Sequence, residues 1–205
     1  MHIREATPED ALAIADVHVR SWKSAYPGLL PQDYLDQLRP EHRVAQWETT
    51  LASTHWPGSG MFVLVDGADG IRADGIRADG IRADGMHGIA ADEKQDVKGF
   101  SHLCPTRDDD LDPATTGEIT SIYLAPEAWG GGNGVALIKR SLDQLATAGY
   151  ETATLWALDT NTKARRFYEI GGWRHDGTTK IHDWGQFVCT DVRYVLDLTD
   201  WPTRI

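Results

Sequence analysis

The sequence predicts one α/β (α+β) domain spanning residues 1–205, and three observations predict it. Short β-rich runs alternate with amphipathic helical stretches along the chain, the pattern of a layered fold. One run, Glu118 to Leu124, ends in a glycine-rich turn, Trp129-Gly130-Gly131-Gly132-Asn133-Gly134, that opens directly into an amphipathic stretch from Val135. With 205 residues and 41% hydrophobic content, the chain is long and apolar enough to bury a core without staples.

Taken in order, Ile3-Arg4-Glu5-Ala6 reads as a first strand. Thr7 then offers a helix cap, Pro8 suits the first helical position, and Glu9 and Asp10 place acids in the first turn. Ala11, Leu12, Ile14, Ala15, Val17, Val19, Trp22 and Tyr26 continue at helical spacing until Pro27-Gly28. Trp22 and Tyr26 are four apart and share a helix face, as core residues or as the wall of a substrate pocket. Further helical stretches run around Tyr34 to Leu38 and Val44 to Leu51.

Met61 to Val65 and Val97 to Leu103 are strands. Between them, from Ala68, the unit Ala-Asp-Gly-Ile-Arg occurs three times, followed by the degraded copy Ala83-Asp84-Gly85-Met86-His87. A five-residue period fits neither helix nor strand, so the segment at about 67–96 reads as a low-complexity loop inserted between paired strands. A calcium-binding repeat is the sharper alternative, but each unit has one carboxylate and an Arg that opposes a cation.

An acidic loop from Arg107 to Ala114 precedes the fourth strand. There, strict alternation puts Glu118, Thr120, Ile122 and Leu124 on one face and Ile119, Ser121 and Tyr123 on the other. Glu118 in line with apolar neighbours is either paired or functional, because burying a lone carboxylate is costly. Past the glycine turn, Val135, Ile138, Leu142 and Leu145 are helical and Gly149 stops them. Thr152 to Leu158 is a fifth strand, and Asp159-Thr160-Asn161 caps a short helix from Thr162 to Ile170. Phe187 to Cys189 and Val192 to Leu196 read as a closing strand pair.

Lys+Arg 20 against Asp+Glu 31 gives a net charge of -11, which argues against nucleic acid and anionic membrane surfaces as partners and favours an amine-bearing one. Cys104 and Cys189 are too few for a disulfide scaffold and lack metal-ligand spacing, so no metal is expected. The start, Met1-His2-Ile3-Arg4-Glu5, lacks the apolar run of a signal peptide, and no stretch is long and apolar enough for a bilayer span, so a cytoplasmic location is expected.

A strand that ends in a glycine turn and opens into a helix leaves backbone N–H groups aimed at whatever fills the turn, which suits an anion. A dinucleotide fold would need a further glycine and a downstream acid, and a nucleoside-triphosphate loop would need Gly-Lys-Ser/Thr. Neither pattern is present.

Residues Trp129 to Gly134, together with Asn161-x-x-Ala164-x-x-x-Tyr168-x-x-x-Gly172-Trp173, resemble the two signatures of the GNAT N-acetyltransferase superfamily. The opening Ile3-Arg4-x-Ala6-Thr7-x-x-Asp10-Ala11 and the segment His18 to Pro31 are similar to bacterial members. The resemblance covers most of the chain and implies a mixed, mostly antiparallel sheet with helices on both faces, splayed between the fourth and fifth strands to admit acetyl-CoA as cosubstrate. It implies that backbone groups of Ile122 and Leu124, beside Tyr123, hold the acetyl-pantetheine arm, and that amides from Gly130 through Val135 hold the pyrophosphate. It also implies that Asn161, Ala164 and Phe167 border the cofactor. Two departures stand out: Trp129 and Gly131 occupy positions where polar or basic residues are usual, so the phosphate seat is expected to be almost wholly backbone.

By the same resemblance, Tyr168 protonates the departing thiolate, against the plainer role of a core tyrosine packed on Ala164. Glu118 is the implied general base, against the plainer role of a strand-start residue facing solvent. The amide of Ile122 would polarise the carbonyl. His102 is either a further base or acceptor contact or a structural residue, and Ser121 joins Trp22 and Tyr26 as a candidate pocket residue. The expected activity is acetyl transfer to a small-molecule or peptide amine by direct attack in a ternary complex, the alternative being a noncatalytic acyl-CoA-binding module on the same fold. Dimers are common in the family, so a homodimer fits as well.

Overall fold

The computed structural model describes residues 1–67 and 96–201; the pentapeptide repeat lies outside the described residues. Seven strands form one sheet in the order β1-β2-β3-β4-β5-β7-β6. The strands are β1 (His2–Glu5), β2 (Gly60–Asp66), β3 (Asp96–Pro105), β4 (Thr116–Leu124), β5 (Thr152–Leu158), β6 (Arg174–Asp183) and β7 (Val188–Asp197). The helices are α1 (Ala11–Ala25), α2 (Gln32–Gln37), α3 (Glu41–Ala52), α4 (Asn133–Thr147) and α5 (Thr162–Ile170). Among the described residues, no helix is long and apolar enough to cross a membrane.

Helices cover both faces because the central strands are apolar on both sides. Val63, Val65, Phe100 and Met61 pack with Ala11, Ile14, Val17, Trp47 and Leu51 of α1 and α3. On the opposite face Phe62, Leu103, Ile119, Ala153 and Leu155 pack with Leu137, Leu142 and Leu145 of α4 and Tyr168 of α5. A third cluster joins Val19, Leu30, Leu35 and Leu38 with Trp22, Tyr26, Tyr34, Leu158, Phe187 and Cys189, extending the first face over β5 and β7.

Every neighbouring strand pair is antiparallel except β4 with β5, which run parallel only at Thr116↔Thr152, Gly117↔Ala153 and Glu118↔Thr154. Beyond those pairs the two strands part. β4 continues to Leu124 and β5 to Leu158 without pairing, so the sheet opens where both strands end. This is the splay that the resemblance implies.

Two expectations need correction. The register of β3 with β4 shifts between His102 and Leu103: His102 pairs with Ser121 and Leu103 with Ile119, leaving Thr120 as an extra residue. Directly paired residues share a face, so this bulge inverts the alternation beyond it. Glu118 therefore lies with Ser121 and Tyr123 on the α1 face, while Ile119, Ile122 and Leu124 lie on the α4 face, rather than Glu118 aligning with Ile122 and Leu124. The second correction concerns the C-terminus, where Phe187 to Leu196 is not a strand pair. Val188–Asp197 is one strand, and its hairpin partner is Arg174–Asp183. That partner is an exposed edge strand, so it carries no alternating apolar signal to read.

Candidate functional site

The glycine turn becomes a cradle because three successive glycines adopt left-handed backbone. Gly130, Gly131 and Gly132 have φ of 80°, 58° and 82°. Other residues take this conformation only at a cost of ~1–2 kcal/mol each. Space is not the constraint: a Cβ at Gly130 or Gly132 would meet nothing within 4 Å. Of the amides from Gly130 through Val135, only that of Asn133 finds a carbonyl among the described residues, Gly130 at 3.3 Å. The rest point from the start of a 15-residue helix with its positive dipole end behind them. That donor set fits a phosphate group.

The side chains around the cradle are already partly committed. The Asn133 amide donates to the Ala128 carbonyl at 3.0 Å, and the Trp129 indole donates to the Leu124 carbonyl at 3.0 Å. Trp129 thus folds back over the end of β4 and takes a Leu124 backbone acceptor of the kind that the resemblance implies for the acetyl-pantetheine arm. Lys163 lies over the Trp129 ring, its ammonium 4.8 Å from the centroid. The sequence reading missed this cation, which sits at a variable position of the Asn161 motif yet is brought beside the cradle by the α5 packing.

Helix α5 is fixed at both ends. The Asn161 side chain accepts from the Ala164 amide at 3.0 Å, the helix-cap role. Arg165 donates to Asp159 and, at 3.1 Å, to the Tyr194 hydroxyl, which in turn donates to Glu169 at 2.8 Å. Phe167 packs in the α4-side core, and a Cβ on Gly134 would lie 3.6 Å from its ring, so α5 rests against the cradle. Tyr168 is thereby buried edge-on to Phe167 and Trp173, at centroid distances of 5.4 and 6.2 Å. Burial, reinforced by Tyr123, pushes its phenol well above the ordinary value, so Tyr168 carries its proton at neutral pH.

On the α1 face, Glu118 is only 1% exposed and is held by Arg107. Arg107 Nη2 donates to Oε1 at 2.6 Å, Nε to Oε2 at 3.0 Å, and the Arg107 backbone amide to Oε2 at 3.2 Å. The carboxylate is therefore paired, and its partner comes from the acidic loop. His102 bonds through Nδ1 to Thr120 Oγ1 at 2.6 Å, using the bulge residue. Burial and then Arg107 hold His102 down at about 4, so the ring is neutral at pH 7. Ser121 pairs with His102 across β3 and β4. Burial lifts Cys104 to about 11, an inert thiol.

Trp22 and Tyr26 meet edge-on at 5.0 Å, and Trp22 reaches Tyr123 at 6.3 Å. Tyr123 stacks on His18 at 5.0 Å, while Tyr34 meets Phe187 at 5.0 Å. The aromatic wall thus runs from α1 across β4 to the β6–β7 hairpin. The structure brings Trp22, Tyr26 and Tyr123 together. His102 and Ser121 lie further back along the same face.

The acetyltransferase (GNAT) family matches residues 42–172 of this chain. The uncharacterized N-acetyltransferase YuaI of Bacillus subtilis (strain 168) is 28% identical over 159 residues, covering 78% of this chain and 72% of that protein. Among solved structures, the PaiA N-acetyltransferase of Thermoplasma acidophilum in complex with coenzyme A superposes with a TM-score of 0.61 at 17% identity, over 96% of this chain and 98% of that one. YncA of Salmonella typhimurium with its cofactor acetyl-CoA gives 0.59 at 18% identity, over 98% and 95%. With the parted β4 and β5 strands and the cradle at the head of α4, the match to the family over residues 42–172 places the chain in the GNAT acetyltransferase family.

Proposed function

We propose that the protein transfers an acetyl group from acetyl-CoA to a primary amine by direct attack in a ternary complex. The observation that carries this reading is the row of amides at the head of α4 that, Asn133 apart, have no carbonyl partner among the described residues, beyond the end of the parted strand β4 and on a helix that rests against α5, the helix of the buried, protonated Tyr168. The amides from Gly130 through Val135 would hold the pyrophosphate, with Lys163 supplying one cation. Ile122, Leu124 and the Asn161 side-chain amide would border the pantetheine arm.

The neutral amine attacks the thioester carbonyl carbon, a C–N bond forms and the C–S bond breaks. The thiolate takes the Tyr168 proton, and the amide of Ile122 faces the charge that develops on the carbonyl oxygen. The nitrogen of the tetrahedral intermediate is a strong acid, so a weak acceptor suffices for its proton. Glu118 and His102, on one face of β3 and β4, would draw it off through water.

Mixing the purified protein with acetyl-CoA and an amine panel while following free thiol tests the reading. Release with at least one amine is expected, and Tyr168→Phe is expected to lower kcat by ~100-fold with little change in KM for acetyl-CoA. Intact CoA binding with no release from any amine would instead make the chain an acyl-CoA-binding module.

A further inference from the structure

Asp191 lies at the acceptor end of the aromatic wall. In the β5–β7 pair Asp191 is directly opposite Leu158, so the two share a face. Leu158 packs in the cluster of Trp22, Tyr26, Tyr34 and Phe187, and Cys189, two residues before Asp191 on the same face, packs there too. The carboxylate therefore points to the α1–α2 side, with 24% of its side chain exposed. Leu158 is the last residue of β5, so Asp191 lies at the end of the splay where transfer would occur, and its charge acts on Tyr26 and Tyr123.

We propose that Asp191 is the acceptor-binding residue that recognises a second, non-reacting ammonium on the substrate, so that the preferred acceptor is an alkyl diamine lying along the Trp22, Tyr26 and Tyr123 rings. The proposal rests on the acetyl-transfer reading and names the substrate class of that site.

Three features support it. The carboxylate is half-buried, and its ion-pair partner is a histidine, His182 Nε2 at 3.2 Å from Oδ2, rather than a lysine or arginine. Burial raises the carboxyl above its ordinary value, while His182 and Lys180 act the other way. His182 supplies a counter-charge only when protonated, and a bound ammonium would supply a permanent one. Secondly, the cation opposite Asp191 on β6 and the one beside Tyr34 each have another hydrogen-bond acceptor. Lys180 pairs with Asp108 at 3.2 Å and Arg43 donates to the Tyr34 hydroxyl at 3.5 Å. Thirdly, the wall is suited to a cation on an alkyl chain: aromatic faces attract ammonium groups and shed water from methylenes.

The test uses 1,5-diaminopentane, pentylamine and 5-aminopentanoate at a pH where CoA binding is constant. KM from thiol release is measured alongside direct binding, read by tryptophan fluorescence with CoA present. The expected result is a KM for diaminopentane at least ~10-fold below that of pentylamine, with 5-aminopentanoate poorest. Asp191→Asn is expected to erase the difference by weakening the diamine alone, while Asp191→Glu retains it. An absent preference in the wild type, equal losses for both amines in Asp191→Asn, or preference for 5-aminopentanoate, which would shift recognition to Arg43, would each overturn the proposal. If thiol is never released, diamine binding that is lost in a folded Asp191→Asn protein still supports it, and no binding by the wild type overturns it. Failure of transfer and failure of recognition are thus separable.

Discussion

Arg107 and Glu118 form a two-pronged ion pair, Nη2 to Oε1 at 2.6 Å and Nε to Oε2 at 3.0 Å, in which the acid is buried and the base reaches in from solvent. The contact pins the loop after β3 to the last parallel pair of β4 and β5, where the sheet begins to open. Removing the arginine leaves a buried carboxylate with the Arg107 amide as its remaining donor. Because the Arg107 side chain is 65% exposed, water replaces part of what it supplies. Arg107→Ala should therefore cost about 1–3 kcal/mol in urea unfolding. A loss below experimental error would show that the pair contributes nothing to the fold. Glu118→Gln keeps the shape and removes the charge, and a fall in kcat beyond its effect on stability would assign Glu118 a part in proton removal.

One buried and one half-buried histidine, His18 and His102, make stability depend on pH. Burial, then Arg43, holds His18 at about 3, and burial, then Arg107, holds His102 at about 4, both below the ordinary 6.5. Between those values the unfolded chain binds protons that the folded chain refuses, so unfolding is favoured as pH falls below 6.5. From pH 6.5 to 5 each histidine should remove about 2 kcal/mol. Urea midpoints at several pH values check this. His18→Phe, which keeps a ring against Tyr123, should flatten the slope by roughly half, and an unchanged slope would rule His18 out.

The cradle predicts a separation of backbone from charge. Gly131→Ala forces a Cβ into φ 58°, so CoA affinity and stability should both drop, the latter by ~1–2 kcal/mol. Lys163→Ala touches no backbone and should weaken CoA by only about fivefold or less, with a reduced dependence on salt. Calorimetry of CoA binding in low and high salt distinguishes the two variants. Equal, salt-independent losses would deny Lys163 a phosphate contact.

Strands β2 and β3 stay paired up to Asp66↔Asp96, on either side of the repeat. Replacing residues 67–95 with Asn-Gly, a turn that matches a two-residue hairpin, should keep Tm within about 5 °C. CoA affinity should hold within a factor of two. Loss of folding would make the inserted segment part of the domain's core.

What the sequence determines by itself is local. The glycine run fixes a left-handed turn because other residues resist that backbone, and Asn161 caps α5 through an amide three residues away. Strands β2 to β5 and the α4 and α5 helices follow from apolar periodicity at their own positions. The tertiary structure decided what depends on register and on distant neighbours. Whether Glu118 faces with Ile122 or with Tyr123 hangs on one unpaired residue, Thr120, and a bulge belongs to a pair of strands, not to either alone. β6 is an edge strand that buries little, so its hydrogen bonds to β7 define it where hydrophobic pattern cannot. Arg107 on Glu118, Lys163 over Trp129 and Asp191 at the aromatic wall join residues far apart in the chain. Their charges acquire a role only when the fold strips away water and sets the partner.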